Sequence, residues 1–248
     1  MIENSISVFD THWPFHINCH PLLDFIQDSK PNYLILGGDM WDLSFLSHHY
    51  FKEFKNKGLD SVVTQLKQEA LGFTYFLEQF RAVAKKARII YITGNHEDWL
   101  DDFNREFKQV HEISLHSELP LAKLGIDLIP VGHCFNIGHL YFAHGENYGG
   151  QNPAKTAIER SHCSMMIGHH HTELTWASNS DVDDKGKYIG RCVPCMCRKD
   201  LKYANHRPNR WLNGFGWSCH KKSGNFSSGV YTMSESGHFM IPSGTEYE

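Results

Sequence analysis

Asp10-Thr11-His12, Gly38-Asp39-Met40-Trp41-Asp42, Gly94-Asn95-His96-Glu97, His144-Gly145 and Gly168-His169-His170-His171 are short clusters of oxygen and imidazole donors spread along one chain. Aspartate and asparagine offer oxygen and histidine offers nitrogen, a mixture that suits Mn2+, Fe2+, Zn2+ or Ni2+. Asp10 and His12 flank Thr11, and His169 and His171 flank His170, so on an extended chain each pair projects to one side. A carboxylate at Asp39, just after Gly37-Gly38, can bridge two cations, because glycine lets the backbone approach closely. The side-chain carbonyl of Asn95 is a neutral oxygen donor, and His96 sits beside it without having to bind metal. Each cluster alone has a bland explanation: a turn-capping Asp10, an ordinary Gly-Gly-Asp turn, a satisfied core histidine at His144. With 18 histidines in 248 residues, many must be ordinary, so what matters is which of them converge.

Convergence requires elements that deliver the clusters to one place. Short apolar, β-branched runs precede each of them: Ser5–Phe9, Tyr33–Leu36, Arg88–Ile92, Leu140–Ala143 and Ser164–Ile167. Each reads as a buried strand of ~4–6 residues. In open α/β sheets ligands bind beyond the carboxyl ends of the strands, so strands of one polarity ending in His, Asp or Asn build one site. Helical patterns separate the strands. One runs over residues 21–28 with Pro21 in its first turn. Another runs over 60–86, with Val62, Leu66, Phe73, Leu77 and Phe80 at helical spacing and Asp60 or Ser61 as N-cap; Gly72 counts against a continuous helix there. Glu97 to Val110 reads as a charged helix. Residues 43–59 lack a period, which suggests a lid or insertion around 43–80. Asn179 to Lys187 reads as a polar turn between strands. Trp211, Phe215 and Trp217 then pack a terminal strand against the sheet or form a dimer surface. With no repeat and no second boundary, residues 1–248 read as a single domain.

The formal charge of −4 gives no general attraction to nucleic acid. A local basic groove remains open, with Lys199, Lys202, Arg207, Arg210, Lys221 and Lys222 as its candidates. No apolar run reaches the roughly 18 residues of a membrane span, and the N-terminus lacks the regions of a signal peptide, so a cytoplasmic protein is expected. The seven cysteines read as thiols. Cys192, Cys195 and Cys197, with Cys219, raise a structural zinc as the alternative, but their spacing is too tight for an easy tetrahedral site.

The order D-x-H, G-D-x-x-D, G-N-H-E, H-G, G-H-x-H, spanning residues 10–171, resembles the calcineurin-like metallophosphoesterase superfamily. The flanking D-T-H-W-P-F-H, G-N-H-E-D-W-L, P-C-M-C and W-L-N-G-F-G are similar to small metallophosphoesterases of bacteriophages and bacteria. The resemblance implies an α/β fold, a four-layer α/β/β/α sandwich, and two divalent ions, Mn2+ first, with Ni2+, Zn2+ and Fe2+ as alternatives. It implies that Asp10, His12, Asp39 and His171 hold one ion and that Asp39, Asn95, His144 and His169 hold the other. It further implies that His96 is the catalytic acid, oriented by Asp42. Two cations ~3.5–4 Å apart neutralise a phosphate ester and acidify a bound water toward a pKa of about 7. A hydroxide bridging the ions would attack phosphorus in line, and His96 would protonate the leaving alkoxide. The expected activity is hydrolysis of phosphodiesters or phosphomonoesters. A DNA or RNA nuclease is the alternative, and a non-catalytic metal-binding scaffold the minor one. His49, Asn147 and Tyr148 are candidate substrate contacts. Leu43-Ser44 stand where the protein phosphatases of the superfamily carry Arg-Gly, which argues against that branch. Trp41, the aromatic beside Asp39, cannot ligate a metal as the tyrosine of purple acid phosphatases does.

Overall fold

The computed structural model describes residues 2–47, 58–108, 113–178, 187–201 and 209–248. Strands β1 (Ile2–Val8), β2 (Tyr33–Leu36), β3 (Arg88–Ile92) and β4 (Ile126–Ile129) run parallel to one another. A second sheet contains β5 (Phe135–Ile137), β6 (Leu140–Ala143), β7 (Ser164–Ile167), β8 (Leu174–Ser178) and β9 (Tyr188–Cys192), in the order β5-β6-β7-β9-β8. The first sheet is completed by β10 (Asn213–Lys221), antiparallel to β1, and by β11 (Phe226–Met233) outside it, giving the order β11-β10-β1-β2-β3-β4. A small pair, β12 (Phe239–Met240) and β13 (Glu246–Tyr247), follows.

Alternation along these strands creates the layers. Leu34, Leu36, Ile89 and Tyr91 turn one way into a cluster with Leu22, Ile26, Leu66, Phe73 and Leu77. Those partners lie on α1 (His20–Ser29) and α2 (Leu59–Val83). Their neighbours Ile35, Ile90 and Ile92 turn the other way and meet Ile137, Phe142 and Met166 of the second sheet. On the far side of that sheet, Met165 and Ile167 pack on Ala154 and Ala157. These belong to α6 (Pro153–Ser161), reached after α3 (Asn95–Glu106), α4 (Leu115–Glu118) and α5 (Leu121–Leu124). Helices, sheet, sheet, helix is the four-layer α/β/β/α sandwich expected.

Two expectations about α2 change. It is capped by Gly58, without a side-chain bond, rather than by Asp60 or Ser61. It is also continuous through Gly72, where a Cβ would lie 2.7 Å from the indole of Trp13. Glycine there admits a close packing partner and does not break the helix. The stretch 43–80 divides: Ser44–Leu46 form a short 3-10 turn, residues 48–57 lie outside the described residues, and the rest lies in α2. Residues 179–186 also lie outside the described residues, between β8 and β9, which pair antiparallel. Among the described residues no helix is long and apolar enough to cross a membrane.

Candidate metal centre

Five strands, β1, β2 and β3 parallel in the first sheet and β6 and β7 parallel in the second, lead into loops that meet in one cluster. Asp10 follows β1, Asp39 follows β2, Asn95 and His96 open α3 after β3, His144 follows β6, and His169 and His171 follow β7. Beyond the sheet edge the β1 and β2 loops remain bonded to each other. Asp10 N–H donates to the Gly38 carbonyl at 3.0 Å and His12 N–H to the Asp39 carbonyl at 2.9 Å.

The pairs do converge, but not by extended alternation. Asp10, His12, Asp39, His169 and His171 have φ of 53°, 46°, 48°, 67° and 53°. Left-handed backbone at residues with a side chain costs roughly 1–3 kcal/mol each and persists only where the surroundings enforce it. Here the enforcement is specific: Asp10 Oδ2 accepts the His169 N–H at 2.8 Å, and Asp39 Oδ1 accepts the His96 N–H at 2.9 Å. One oxygen of each aspartate is thereby fixed to main chain and the other is presented inward.

The inward oxygens meet imidazole nitrogens. Asp39 Oδ2 lies 3.2 Å from His144 Nε2, 3.8 Å from His96 Nε2 and 3.9 Å from His12 Nε2. Asp10 Oδ1 lies 3.4 Å from His171 Nε2 and is buried without a hydrogen-bond partner. The ring nitrogens also face each other, His12 Nε2 to His171 Nε2 and His144 Nε2 to His169 Nδ1, both at 3.3 Å. Asn95 Oδ1 is 3.1 Å from His144 Nε2. The opposite nitrogens have other partners: His144 Nδ1 lies 3.0 Å from the Gly37 carbonyl, and His12 Nδ1 lies 3.1 Å from Asp42 Oδ1. When Nδ1 carries the proton donated there, Nε2 is a lone pair aimed at oxygens and at another nitrogen. Such a lone pair is repelled unless a cation lies between or the ring takes a second proton. Without a cation one ring of each facing pair favours the proton and the other is denied it. Burial works to lower His144, but Asp39 and Asp10 outweigh it and push it up to about 10. Burial would raise Asp39, yet His144 and His96 hold it well below the usual carboxylate range. Burial, then the charge on His144, pushes His169 down to about 4. An orphaned buried carboxylate oxygen and converging lone pairs fit divalent metal, and Asp39 belongs to two of the clusters of donor atoms, with His12 and His96 and with His144 and His169.

The sequence assigns the Asp42 carboxylate to His96, and here the geometry differs. His96 Nδ1 contacts the main-chain oxygen of Asp42, whereas Asp42 Oδ1 is 3.6 Å away. That carboxylate is held by His12 Nδ1 and, at 3.2 Å, by the Ser44 N–H. Leu43, at φ 45°, turns the chain so that both oxygen types face histidines.

Of the expected substrate contacts, His49 lies outside the described residues. Asn147 is exposed, its Nδ2 bonds Glu146 Oε1 at 3.1 Å, and its carbonyl accepts from Arg160 at 2.6 Å. Tyr148 packs against the cluster beneath α6. Neither of these two makes a contact with the metal cluster among those described. Lys199 pairs with Glu235 at 3.1 Å and Arg198 with Asp200 at 3.6 Å. Lys221 and Lys222 lie at the far end of β10 from Asn213, while Lys202 and Arg207 fall outside the described residues. The described cysteines are free thiols. Cys192 packs on Ala154 and Ala157, while Cys195 and Cys197 pack with Leu201, and Cys197 stands with His12 and His171 in one cluster of donor atoms.

Four residues near the cluster have no role at the centre in the sequence reading. Glu97 accepts from the backbone N–H groups of Asp39, Trp41 and Gly94 at 3.0, 2.9 and 2.8 Å and from Tyr91 Oη at 2.8 Å. A Glu three residues past Gly94 is the signal of a capping box and reveals the Gly94 bond alone. Cys197 Sγ lies 3.9 Å from His171 Nδ1. Trp99 lies on the His96 ring and Trp211 on the His171 ring. The sequence reading packs Trp211 with Phe215 and Trp217 in a strand; it instead precedes β10 and faces the cluster.

No family model and no curated protein matches the chain. Among solved structures it is similar to a single mutant of Vps29 from Entamoeba histolytica, at 11% identity and TM-score 0.45 over 94% of each chain. It is similar to wild-type Vps29 of the same organism in complex with Zn2+, at 10% identity and TM-score 0.44 over 92% of each chain. It is also similar to a conserved uncharacterized protein of Streptococcus pneumoniae, predicted to be a phosphoesterase, at 10% identity and TM-score 0.41 over 100% of this chain and 98% of that one.

Proposed function

We propose that the protein is a phosphoesterase that uses two divalent metal ions, Mn2+ foremost, to hydrolyse phosphodiesters or phosphomonoesters. The observation that carries this reading is Asp39 Oδ2, set among the Nε2 atoms of His12, His96 and His144 at 3.2 to 3.9 Å. Asp10, His12, Asp39 and His171 would hold one ion, and Asp39, Asn95, His144 and His169 the other. Bound ions would neutralise the phosphate oxygens and supply a water acidified to a pKa of about 7.

The chain's own groups do the rest. The main-chain bonds to Asp10 Oδ2 and Asp39 Oδ1 hold both carboxylates in place, so their free oxygens need no reorganisation. His96 has its Nδ1 on the Asp42 carbonyl, an acceptor only, so Nδ1 carries hydrogen. When the ring is doubly protonated, Nε2, the atom turned toward the cluster, also holds a proton and can give it to a leaving oxygen, a role typically worth ~10²–10⁴ in rate. The Asp42 carboxylate acts on His12, fixing the tautomer that leaves Nε2 bare.

The test is metal analysis and hydrolysis of bis(p-nitrophenyl) phosphate with Mn2+, Ni2+ and Zn2+. Wild-type protein should bind two ions and turn over; Asp39→Asn should lose both. Two ions bound with no hydrolysis of any phosphate ester would sink the enzymatic reading and leave a scaffold.

A further inference from the structure

A row of aromatic rings crosses the metal cluster. The Trp99 and His96 centroids are 4.0 Å apart, His96 and His12 4.5 Å, His12 and His171 5.2 Å, and His171 and Trp211 4.3 Å. The three histidines are buried, while the tryptophan at each end is only partly so. The row therefore begins and ends on a partly buried tryptophan, and its middle belongs to the cluster. Neither indole serves metal binding, since its nitrogen only donates. Trp99 is three residues beyond His96 on α3, so the helix itself lays one ring beside the other, at 37° between planes.

Position gives Trp99 a second meaning. In the reading above, His96 Nε2 delivers a proton to the oxygen that departs, so the ring beside His96 stands next to the departing alcohol. A partly exposed tryptophan beside the departing alcohol offers a flat apolar ring on which a flat heterocycle stacks. We propose, resting on the phosphoesterase reading, that Trp99 is a specificity residue that stacks a nucleobase carried by the leaving alcohol, and that the substrate is a nucleotide diester. Water is the co-reactant. Its oxygen bonds to phosphorus, and the P–O bond to the nucleoside breaks with its electron pair on the departing oxygen. That oxygen takes the proton from His96 Nε2, and a proton of the water restores it over the cycle.

Two phosphodiesters, one joining two thymidines and the other dimethyl phosphate, neither of whose alcohols carries a base, test the idea on the Mn2+-loaded full chain. Wild type should favour the dinucleotide. Trp99→Ala should reduce the dinucleotide-to-methyl ratio of kcat/KM about tenfold, mostly through KM, and Trp99→Phe should restore most of it. An unchanged ratio in Trp99→Ala, with both esters losing equally, overturns the proposal and leaves Trp99 as packing for His96. If wild type binds two ions but cleaves neither ester, the phosphoesterase reading has failed, and tryptophan fluorescence decides the stacking separately. Adenosine 5′-monophosphate should bind about tenfold tighter than inorganic phosphate in wild type and lose that margin in Trp99→Ala; equal affinities in wild type overturn it.

Discussion

Glu97 accepts the backbone N–H of Asp39 on its Oε2 at 3.0 Å. The carboxylate that would bridge the ions is therefore mounted on a second, wholly buried carboxylate that never faces the cluster's nitrogens. Its other bonds reach Trp41, Gly94 and Tyr91, so one side chain ties the β2 loop, the end of β3 and the first turn of α3. Glu97→Gln turns one acceptor oxygen into a donor facing N–H groups. It should lower the unfolding free energy by about 2–4 kcal/mol and weaken metal binding by about 10–100-fold. Urea unfolding in chelator gives the first quantity and metal titration the second; a stability loss with unaltered metal affinity would detach Glu97 from the site.

His96→Ala should keep the ions and lose turnover. The deficit should be about 10²–10⁴ on an alkyl ester, whose leaving oxygen needs a proton. It should shrink toward none on a p-nitrophenyl ester, whose phenolate leaves unaided. Equal losses on the two esters would assign His96 to metal or phosphate binding instead.

Gly94 borders the cluster from behind. A Cβ there would lie 2.3 Å from Asp39 Oδ1 and 2.4 Å from the Asp39 nitrogen. Since a backbone atom cannot swing aside, Gly94→Ala should push Asp39 out of place. Metal stoichiometry should fall below two ions per chain, measured by elemental analysis of the dialysed protein. Retention of both ions would show that the β2 loop yields more readily than the geometry allows.

Metal removal should destabilise the fold. A ligand that binds only the native state at 100 times its dissociation constant contributes about 2.7 kcal/mol. Chelation should therefore lower the thermal midpoint by several degrees, and re-addition of Mn2+ should restore it. An unmoved midpoint would mean that the ions bind far more weakly than a resident cofactor.

Acid should weaken the fold at a second place, far from the cluster. His220, buried near the end of β10, has Nε2 2.7 Å from Ser218 Oγ, and burial lowers its pKa below the ordinary 6.5. The unfolded chain thus takes up this proton before the native one does. The stability from a neutral His220 is complete above pH ~6.5 and is lost as pH falls from there toward the folded value. His220→Gln should show a smaller drop in thermal midpoint between pH 7.5 and 5.5 than wild type. An identical drop would place the sensitivity elsewhere.

Much of this arrangement can be read in the amino-acid sequence because strand ends are local. An apolar run such as Tyr33–Leu36 followed by Gly37-Gly38-Asp39 carries its own direction, and five runs of one polarity specify a shared edge. The layers follow from the same period of two. What is not legible depends on partners distant in sequence. The left-handed turns at Asp10 and His169 are enforced by a bond between them, 159 positions apart. The Asp42 carbonyl displaces its carboxylate at His96 because Leu43 bends the chain. Trp211 meets His171 through the loop before β10, and aromatic residues near a glycine-rich strand read most simply as packing.

The antiparallel partner of β1 is β10, with Ile2 opposite Lys221 and Ser7 opposite Gly216. During synthesis the first strand emerges more than 200 residues ahead of the strand that closes its outer edge. Until then Asp10 and His12 hang from a ribbon paired on one side only, with the other row of amides and carbonyls open to any passing strand. Such a distant closure makes assembly of the centre a late and slow event in folding. The donor-bearing part of the chain depends for its maturation on a hairpin that contributes none of the seven expected ligands.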